Sequence, residues 1–522
     1  MKTVYTTLLS VFAIFVHAQL LIPQPHEVTE RYYPDPDINI PTPAFTEDED
    51  YTDYESMMTY LNGLLEEHSD LMSMRMIGES QEGVSIPMVT LKGSGSEDGK
   101  LKVYMQGGLH GDEPGSTESM LYLIHEVLKN PEYTALLDRL IIGIVPMANV
   151  DGYEDQVRDA TNGLDLNRDQ TKLMAPETVA LKNAFYAFDP HVAVDFHEYR
   201  PHRRDYQVFG KYGVNGAYDV MFLYSGNLNV PKELREFTKN QFVDPAAKAL
   251  SEAGLSNHDY FSTRDVFGAV VFNQGSLNAR SSATNNALAN TISTLIEVRG
   301  VGLGRTSFKR RVHSAFMVAT SYLQSAYRLK DEVIGVIETA ANNQSDIVLE
   351  VNRPTLESSF LVNDNASREQ VEISAFVRDA WKAEAVRTRA RPIAYLIPES
   401  NAQLVEKLQI LGLEVEQLNA ETKLEYEKYT VTDYWRDPSL YEGVHRQDVT
   451  TETESQIASL PAGVYVIRMN QRRANMAIEL LEPETPNSFV SFGLVPLQNE
   501  QELPYYRLMN ELPASATTPI RE

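Results

Sequence analysis

Apolar residues fall along this chain in two rhythms. Short unbroken runs at Lys102 to Gln106, Leu140 to Val145, Val192 to Phe196 and Ile292 to Val298 have the length of strands, and their continuity marks burial on both faces. Amphipathic stretches separate them. From Ser116 to Leu128, the residues Met120, Leu121, Leu123, Ile124, Val127 and Leu128 recur at helical spacing and predict a helix with one buried stripe. This alternation over residues 51–340 predicts an α/β domain, a mixed and mostly parallel sheet flanked by helices. A last helical stripe runs from Phe316 to Ile337. Ala341-Asn342-Asn343-Gln344-Ser345 then breaks the pattern and sets the expected domain boundary. Beyond it, residues 346–522 change character: strand-like runs at Ile393 to Ile397, Leu413 to Leu418 and Gly463 to Met469, with a helix at Ala402 to Ile410, predict a smaller α/β or β-rich C-terminal domain.

The N-terminus changes the picture first. Lys2, an apolar run from Leu8 to Val16 and Val16-His17-Ala18 before Gln19 form a secretory signal peptide over residues 1–18, expected to be cut after Ala18. That run is shorter than a bilayer crossing requires, and the chain contains no longer one, so no membrane span is expected and the destination is secreted or periplasmic. Residues 19–50, rich in Pro, Asp and Glu without apolar periodicity, are expected to be a flexible acidic lead-in. The 522 residues carry a formal charge of −27, one unit more negative without Lys2. Such a polyanion repels phosphate backbones, which argues against nucleic acid as a partner. There is no cysteine, so disulfides, thiolate-bound zinc and thiol catalysis are all excluded.

Candidate chemistry sits where strands run out. In Gly107-Gly108-Leu109-His110-Gly111-Asp112-Glu113, a His and a Glu lie three apart between a strand and a helix, so both can face one point. Val194-Asp195-Phe196-His197 places a second His at the end of another apolar run, the edge at which open α/β sheets gather their ligand-binding groups. Two His and one Glu are a ligand set of catalytic zinc, with the fourth position left for water. Other zinc and hydrolase signatures fail. His197 and His202 are five apart with Pro201 between them, which rules out a two-His zinc helix, and no Gly-x-Ser-x-Gly elbow occurs. His125, His191, His202, His258, His313 and His445 have no partner at a telling spacing and are read as structural.

At these residues the chain resembles the M14 zinc metallocarboxypeptidases, whose first two ligands are a His-x-x-Glu pair and whose third is a distant His. Asn149-Val150-Asp151-Gly152-Tyr153 is similar to the family's Asn-Pro-Asp-Gly-Phe/Tyr stretch, with Val150 for the Pro. Gly163-Leu164-Asp165-Leu166-Asn167-Arg168 resembles its Gly-x-Asp-x-Asn-Arg element, and Leu295-Ile296-Glu297-Val298-Arg299-Gly300 its catalytic strand. The resemblance covers about Tyr51 to Ala340. It implies one zinc ion per chain on His110, Glu113 and His197, and Glu297 as general base. Arg158 would polarise the scissile carbonyl, Asn167 and Arg168 would grip the substrate's terminal carboxylate, and Asp165 would orient His110 from behind. It also implies a zinc carboxypeptidase-like fold, and peptide or protein C-termini as substrates. Leu481-Glu482-Pro483-Glu484-Thr485-Pro486-Asn487-Ser488-Phe489 resembles a region that follows the peptidase domain in one bacterial subgroup.

Two departures stand out. The family's mobile active-site tyrosine precedes the catalytic glutamate, but no Tyr lies between Ala279 and Glu297, and Tyr260 is the nearest upstream. Glu198 follows the third ligand where typical members carry no acid; it reads as either an extra pocket acid or a surface charge, with the surface charge favoured. Two other readings of the same centre stay open: hydrolysis of an atypical amide, such as a cell-wall peptide or an acyl-amino acid, and a binding protein that has lost turnover.

Overall fold

The computed structural model describes residues 24–46, 50–266, 268–498 and 501–520. The expected signal peptide, residues 1–18, lies outside them. At the centre is an eight-stranded mixed sheet. By first residue, the strands follow the order Met72, Ser85, Leu140, Leu101, Val192, Ile292, Val220, Asn257. The four runs singled out by their continuous hydrophobicity form its middle: Leu140–Val145, Leu101–Gln106, Val192–Tyr199 and Ile292–Arg299 lie side by side and parallel. Almost every residue in them is buried, as strands covered on both faces require. Helices Pro114–Lys129 and Phe308–Arg328 pack together against this sheet. The single stripe expected from Phe316 to Ile337 is two helices, because the backbone turns aside at Leu329 before Lys330–Ala341 begins.

Residues 24–46 of the expected lead-in are not loose. Helix His26–Tyr32 and the stretch after it bury Val28, Tyr33, Ile40 and Ala44. The Tyr33 hydroxyl donates to the Ala217 carbonyl at 2.9 Å, and Arg299 lies 4.1 Å over its ring. Thr42 and Thr52 both donate to the buried carboxylate of Glu118. The composition misleads because a few anchors suffice: Pro34, Pro36, Pro41 and Pro43 restrict the chain between them, so fixing it costs less entropy.

The pattern break at Ala341 to Ser345 does not separate two bodies. Strands Thr355–Asp364 and Gln370–Asp379, from beyond it, pair with Val214–Gly216 and Ala269–Gln274 from before it in a five-stranded second sheet. Tyr206, Phe261, Phe272 and Phe360 form the core of that sheet. The region beyond also builds a seven-stranded sheet whose inner residues, such as Tyr395, Ile397, Tyr429 and Tyr505, belong to one continuous core with the central sheet. Two of its strands, Thr422–Tyr441 and Val444–Leu460, make a long hairpin that reaches back to the central domain.

Candidate active site

The cleft opens at the carboxyl ends of the parallel strands, where side chains leaving neighbouring strands converge. His110 and Glu113 sit in the turn after Leu101–Gln106, with Glu113 immediately before the helix that Pro114 starts. That turn lies so close to the Asn149-Val150-Asp151-Gly152-Tyr153 segment that a Cβ on Gly111 would collide with the backbone of Gly152. The first two ligands are thus set against a second motif by backbone contact. His197 belongs to strand Val192–Tyr199, and Glu297 is its register partner on the adjacent parallel strand.

The three candidate ligands are buried, and their nearest donor atoms all lie within 4.8 Å of one another. His110 Nδ1 is 2.7 Å from one Glu113 oxygen and His197 Nδ1 is 2.8 Å from the other, with the two Nδ1 atoms 2.9 Å apart. Each ring turns its far nitrogen to a carboxylate: His110 Nε2 to Asp165 at 3.1 Å, His197 Nε2 to Asp195 at 2.9 Å. With those nitrogens donating, both Nδ1 atoms and the Glu113 oxygens present lone pairs to one point. A cation at that point would satisfy these acceptors together, and the ligand set is one that zinc favours.

The electrostatics agree. Burial and Arg158 press the His110 imidazole down, but the carboxylates of Glu113 and Asp165 outweigh them and raise its pKa. His197 is raised well above the ordinary value because Asp195 and Glu113 overcome its burial. Glu113 and Asp165 behave conversely. Burial alone would raise them, yet the histidines, and for Asp165 also Arg158, hold both well below the usual carboxylate range. Glu297 is different: burial first, then the Glu113 charge, pushes its carboxyl up to about 7.

Arg158, Asn167 and Arg168 come together with the ligands, all lining one cleft of about 430 Å³ with His110 and Glu297. Arg158 donates to Asp165 at 2.9 and 3.2 Å and approaches Glu113 at 3.4 Å. The Asn167 side-chain oxygen accepts from the Ser282 backbone at 2.8 Å, which ties its loop to the helix Ser282–Leu288. Arg168 donates only to its neighbour's carbonyl and leaves the rest of its guanidinium facing the cleft.

One residue was given no role from the sequence, and two that it did single out take places it did not settle. Asp195, the partner of His197, was signalled by its i, i+2 spacing on a strand, which puts both side chains on one face. Glu198 is no surface charge: it is buried and paired bidentately with Arg311 at 2.6 and 2.8 Å. Its second oxygen also accepts from the Gly115 N–H at 3.0 Å, and its own N–H donates to Glu113 at 3.0 Å. A Cβ on Gly300 would overlap its carboxylate, so that glycine makes room for the pair. Tyr260 lines the cleft although it stands far upstream of Glu297 in sequence.

The zinc carboxypeptidase family, peptidase M14, matches residues 57–208. Carboxypeptidase 2 of Trichophyton equinum is 31% identical over 466 residues, 87% of this chain and 86% of that protein. The chain belongs to the zinc carboxypeptidase family. Carboxypeptidase 2 of Trichophyton rubrum agrees at 32% identity over 442 residues, covering 82% of this chain and 81% of its own. Human carboxypeptidase D matches only 147 residues at 33%, a quarter of this chain and 11% of that protein. An alignment of 466 residues necessarily runs past Ser345, so at least part of the C-terminal region is shared with these fungal carboxypeptidases. Among solved structures, a metallo-carboxypeptidase from Burkholderia cenocepacia aligns with 54% of this chain and 70% of its own, at 18% identity and a TM-score of 0.42.

Proposed function

We propose that this metallocarboxypeptidase acts outside the cytoplasm and removes single residues from the C-termini of peptides, with one zinc ion held by His110, Glu113 and His197. The observation that carries this reading is a pairing across the cleft. Glu297 stands beside the ligand cluster in strand register with His197, while the Arg168 guanidinium faces the same cavity without a carboxylate partner among the described residues. Export is supported by the residues 1–18 pattern, and no helix among the described residues is long and apolar enough to cross a membrane.

Bound at the three ligands, zinc would act as a Lewis acid toward a water and toward the scissile carbonyl. Asp165 and Asp195 fix the ring orientation of the two histidines and keep their Nδ1 lone pairs on the ligand point. Glu297, whose carboxyl is raised by burial, takes the proton of the attacking water and returns it to the leaving amine. Arg158, already oriented by Asp165, directs its exposed edge at the oxygen that gains charge. Asn167 and Arg168 hold the terminal carboxylate, for which a planar guanidinium is suited, and so limit cleavage to the last bond.

Elemental analysis of the purified mature chain, with mass spectrometry of a digested peptide library, tests the reading. One zinc per chain, stepwise loss of C-terminal residues and no loss with Glu297→Gln are expected. Arg168→Ala should lower activity on free-acid peptides and not on C-terminally amidated ones. Zinc without cleavage of any ordinary peptide would refute the proposed substrate class.

A further inference from the structure

The cleft carries more positive charge than one terminal carboxylate needs. Five arginines line it: Arg158, Arg168, Arg200, Arg203 and Arg280. Three are answered by carboxylates, Arg158 by Asp165 at 2.9 Å, Arg200 by Asp112 at 3.7 Å and Arg203 by Asp205 at 3.2 Å. The buried Glu198 is taken by Arg311. Among the described residues no carboxylate lies within 4.0 Å of Arg168 or Arg280. In a chain with a formal charge of −27, two unanswered guanidiniums in one cavity call for an explanation.

Arg280 is held in place from the C-terminal region. Its backbone N–H donates to Asn487 Oδ1 at 3.2 Å, and its guanidinium lies 4.9 Å from the ring centroid of Tyr441, at the tip of the long hairpin. That tip is fixed in turn. The Glu442 carboxylate accepts from the Asp165 N–H at 3.1 Å, and the Glu442 carbonyl accepts from the buried Lys172 at 2.9 Å. Arg446 also lies by the Tyr441 ring, at 5.1 Å, but Asp437 at 3.6 Å neutralises it. Stacking orients Arg280 without spending its N–H donors, so they remain available to the cavity. Burial lowers its pKa first, and the charges of Arg168 and Arg446 add to this against the opposing pull of Tyr441 and Glu442.

We propose that Arg280, seated on Tyr441 by the C-terminal hairpin, is a specificity-determining residue that receives a second carboxylate, so that the enzyme prefers peptides ending in Glu or Asp. This rests on the reading that Arg168 takes the terminal carboxylate. The arrangement also gives the C-terminal region a part in the cleft: it supports from behind the arginine that reads the side chain of the last residue.

Three peptides that differ only in a terminal Glu, Gln or Lys test this on the full-length zinc-loaded enzyme. The expected result is a higher kcat/KM for Glu than for Gln, a ratio that Arg280→Gln lowers by about tenfold or more and Arg280→Lys largely preserves. Arg280→Glu should invert the preference toward Lys, and Tyr441→Ala should weaken the Glu preference without inverting it. Calorimetric binding of N-acetylglutamate against N-acetylglutamine to the Glu297→Gln protein reads the same preference without turnover. A wild-type enzyme indifferent to Glu and Gln overturns the proposal, as does an Arg280→Gln protein that loses both alike. Loss of all three peptides as substrates, with the binding preference intact, would strike the carboxypeptidase reading and leave Arg280 as the acid receptor.

Discussion

Replacing Arg311 by Met should cost this protein several kcal/mol, because it strips a buried carboxylate of its partner. Glu198 and Arg311 have side-chain exposures of 0% and 4%, and two hydrogen bonds of 2.6 and 2.8 Å join them. Arg311→Met leaves the Glu198 carboxylate buried with only the Gly115 N–H to answer it. Removing one partner of such a pair costs about 3–5 kcal/mol. The corresponding shift in melting temperature depends on how much chain unfolds together. At about 2.1 cal/mol/K per residue, cooperative unfolding of some 500 residues has an entropy near 1 kcal/mol/K, so Tm should fall by about 3–5 °C. If residues 51–340 melted alone, the same penalty would give about 5–8 °C. The continuous core predicts the smaller shift. Differential scanning calorimetry at saturating zinc reads it. The double variant Glu198→Gln/Arg311→Met should recover part of the loss, because no charge then remains unpaired. A single variant that lowers Tm by less than about 1 °C, or a double variant whose loss equals the sum of the two singles, would refute the buried pair as the source of the stability.

Other consequences are as concrete. Stripping the metal with a chelator should abolish hydrolysis and lower Tm, since an ion bound only to the folded chain stabilises it by mass action; unchanged activity after verified metal loss would contradict the ligand assignment. Asp165→Asn, which removes the charge behind His110, should weaken zinc binding by about 10- to 100-fold in competition with a chromogenic chelator. For pH, protonated Glu297 cannot accept a proton, so kcat/KM should decline as pH falls through its pKa. Burial pushes that pKa up to about 7, and a dication beside it draws it back down, so the limb should lie below 7 and should be absent from the residual activity of Glu297→Gln. A rate that climbs on acidification below pH 7 would exclude Glu297 as the base. Tyr33→Ala, which deletes a buried ring and the hydroxyl bond to Ala217, should cost about 3–5 kcal/mol, whereas a loose lead-in would lose nothing measurable.

What the sequence made legible follows from the range over which its signals act. The four central strands announce themselves because burial on both faces leaves no polar position in the run, and helix Pro114–Lys129 because one stripe meets the core. The cluster of His110, Glu113 and His197 was readable because His110 and Glu113 need only a turn between them, and His197 only the end of a strand. The hairpin of Thr422–Tyr441 and Val444–Leu460 gave no comparable signal. Charged residues punctuate both strands, and much of each faces solvent, so neither the apolar run nor the clean alternation of a half-buried strand is present. Glu198 was misread for a related reason: a local pattern shows a charge beside a ligand, but not that Arg311, on a helix more than a hundred residues later, answers it.

The apparent domain boundary shows the same limit at larger scale. Ala341 to Ser345 does interrupt a helix, and a local reading can go no further than that. Whether the chain beyond forms its own body depends on which strand edges remain unpaired in the first. Strands Val214–Gly216 and Ala269–Gln274 leave edges that the hairpin Thr355–Asp379 fills, and an unfilled edge is costly to leave exposed. That pairing anchors the C-terminal region to the central domain, and the longer hairpin, reaching from the other side, then sets Tyr441 and Glu442 against the loop of Asp165 and Arg168. The loop that carries Asp165 is therefore held by a residue nearly three hundred positions away. A cut at Ser345 would remove the support behind Arg280 and Asp165 and the partner of two sheet edges together, so the peptidase domain should not survive as a soluble, active fragment.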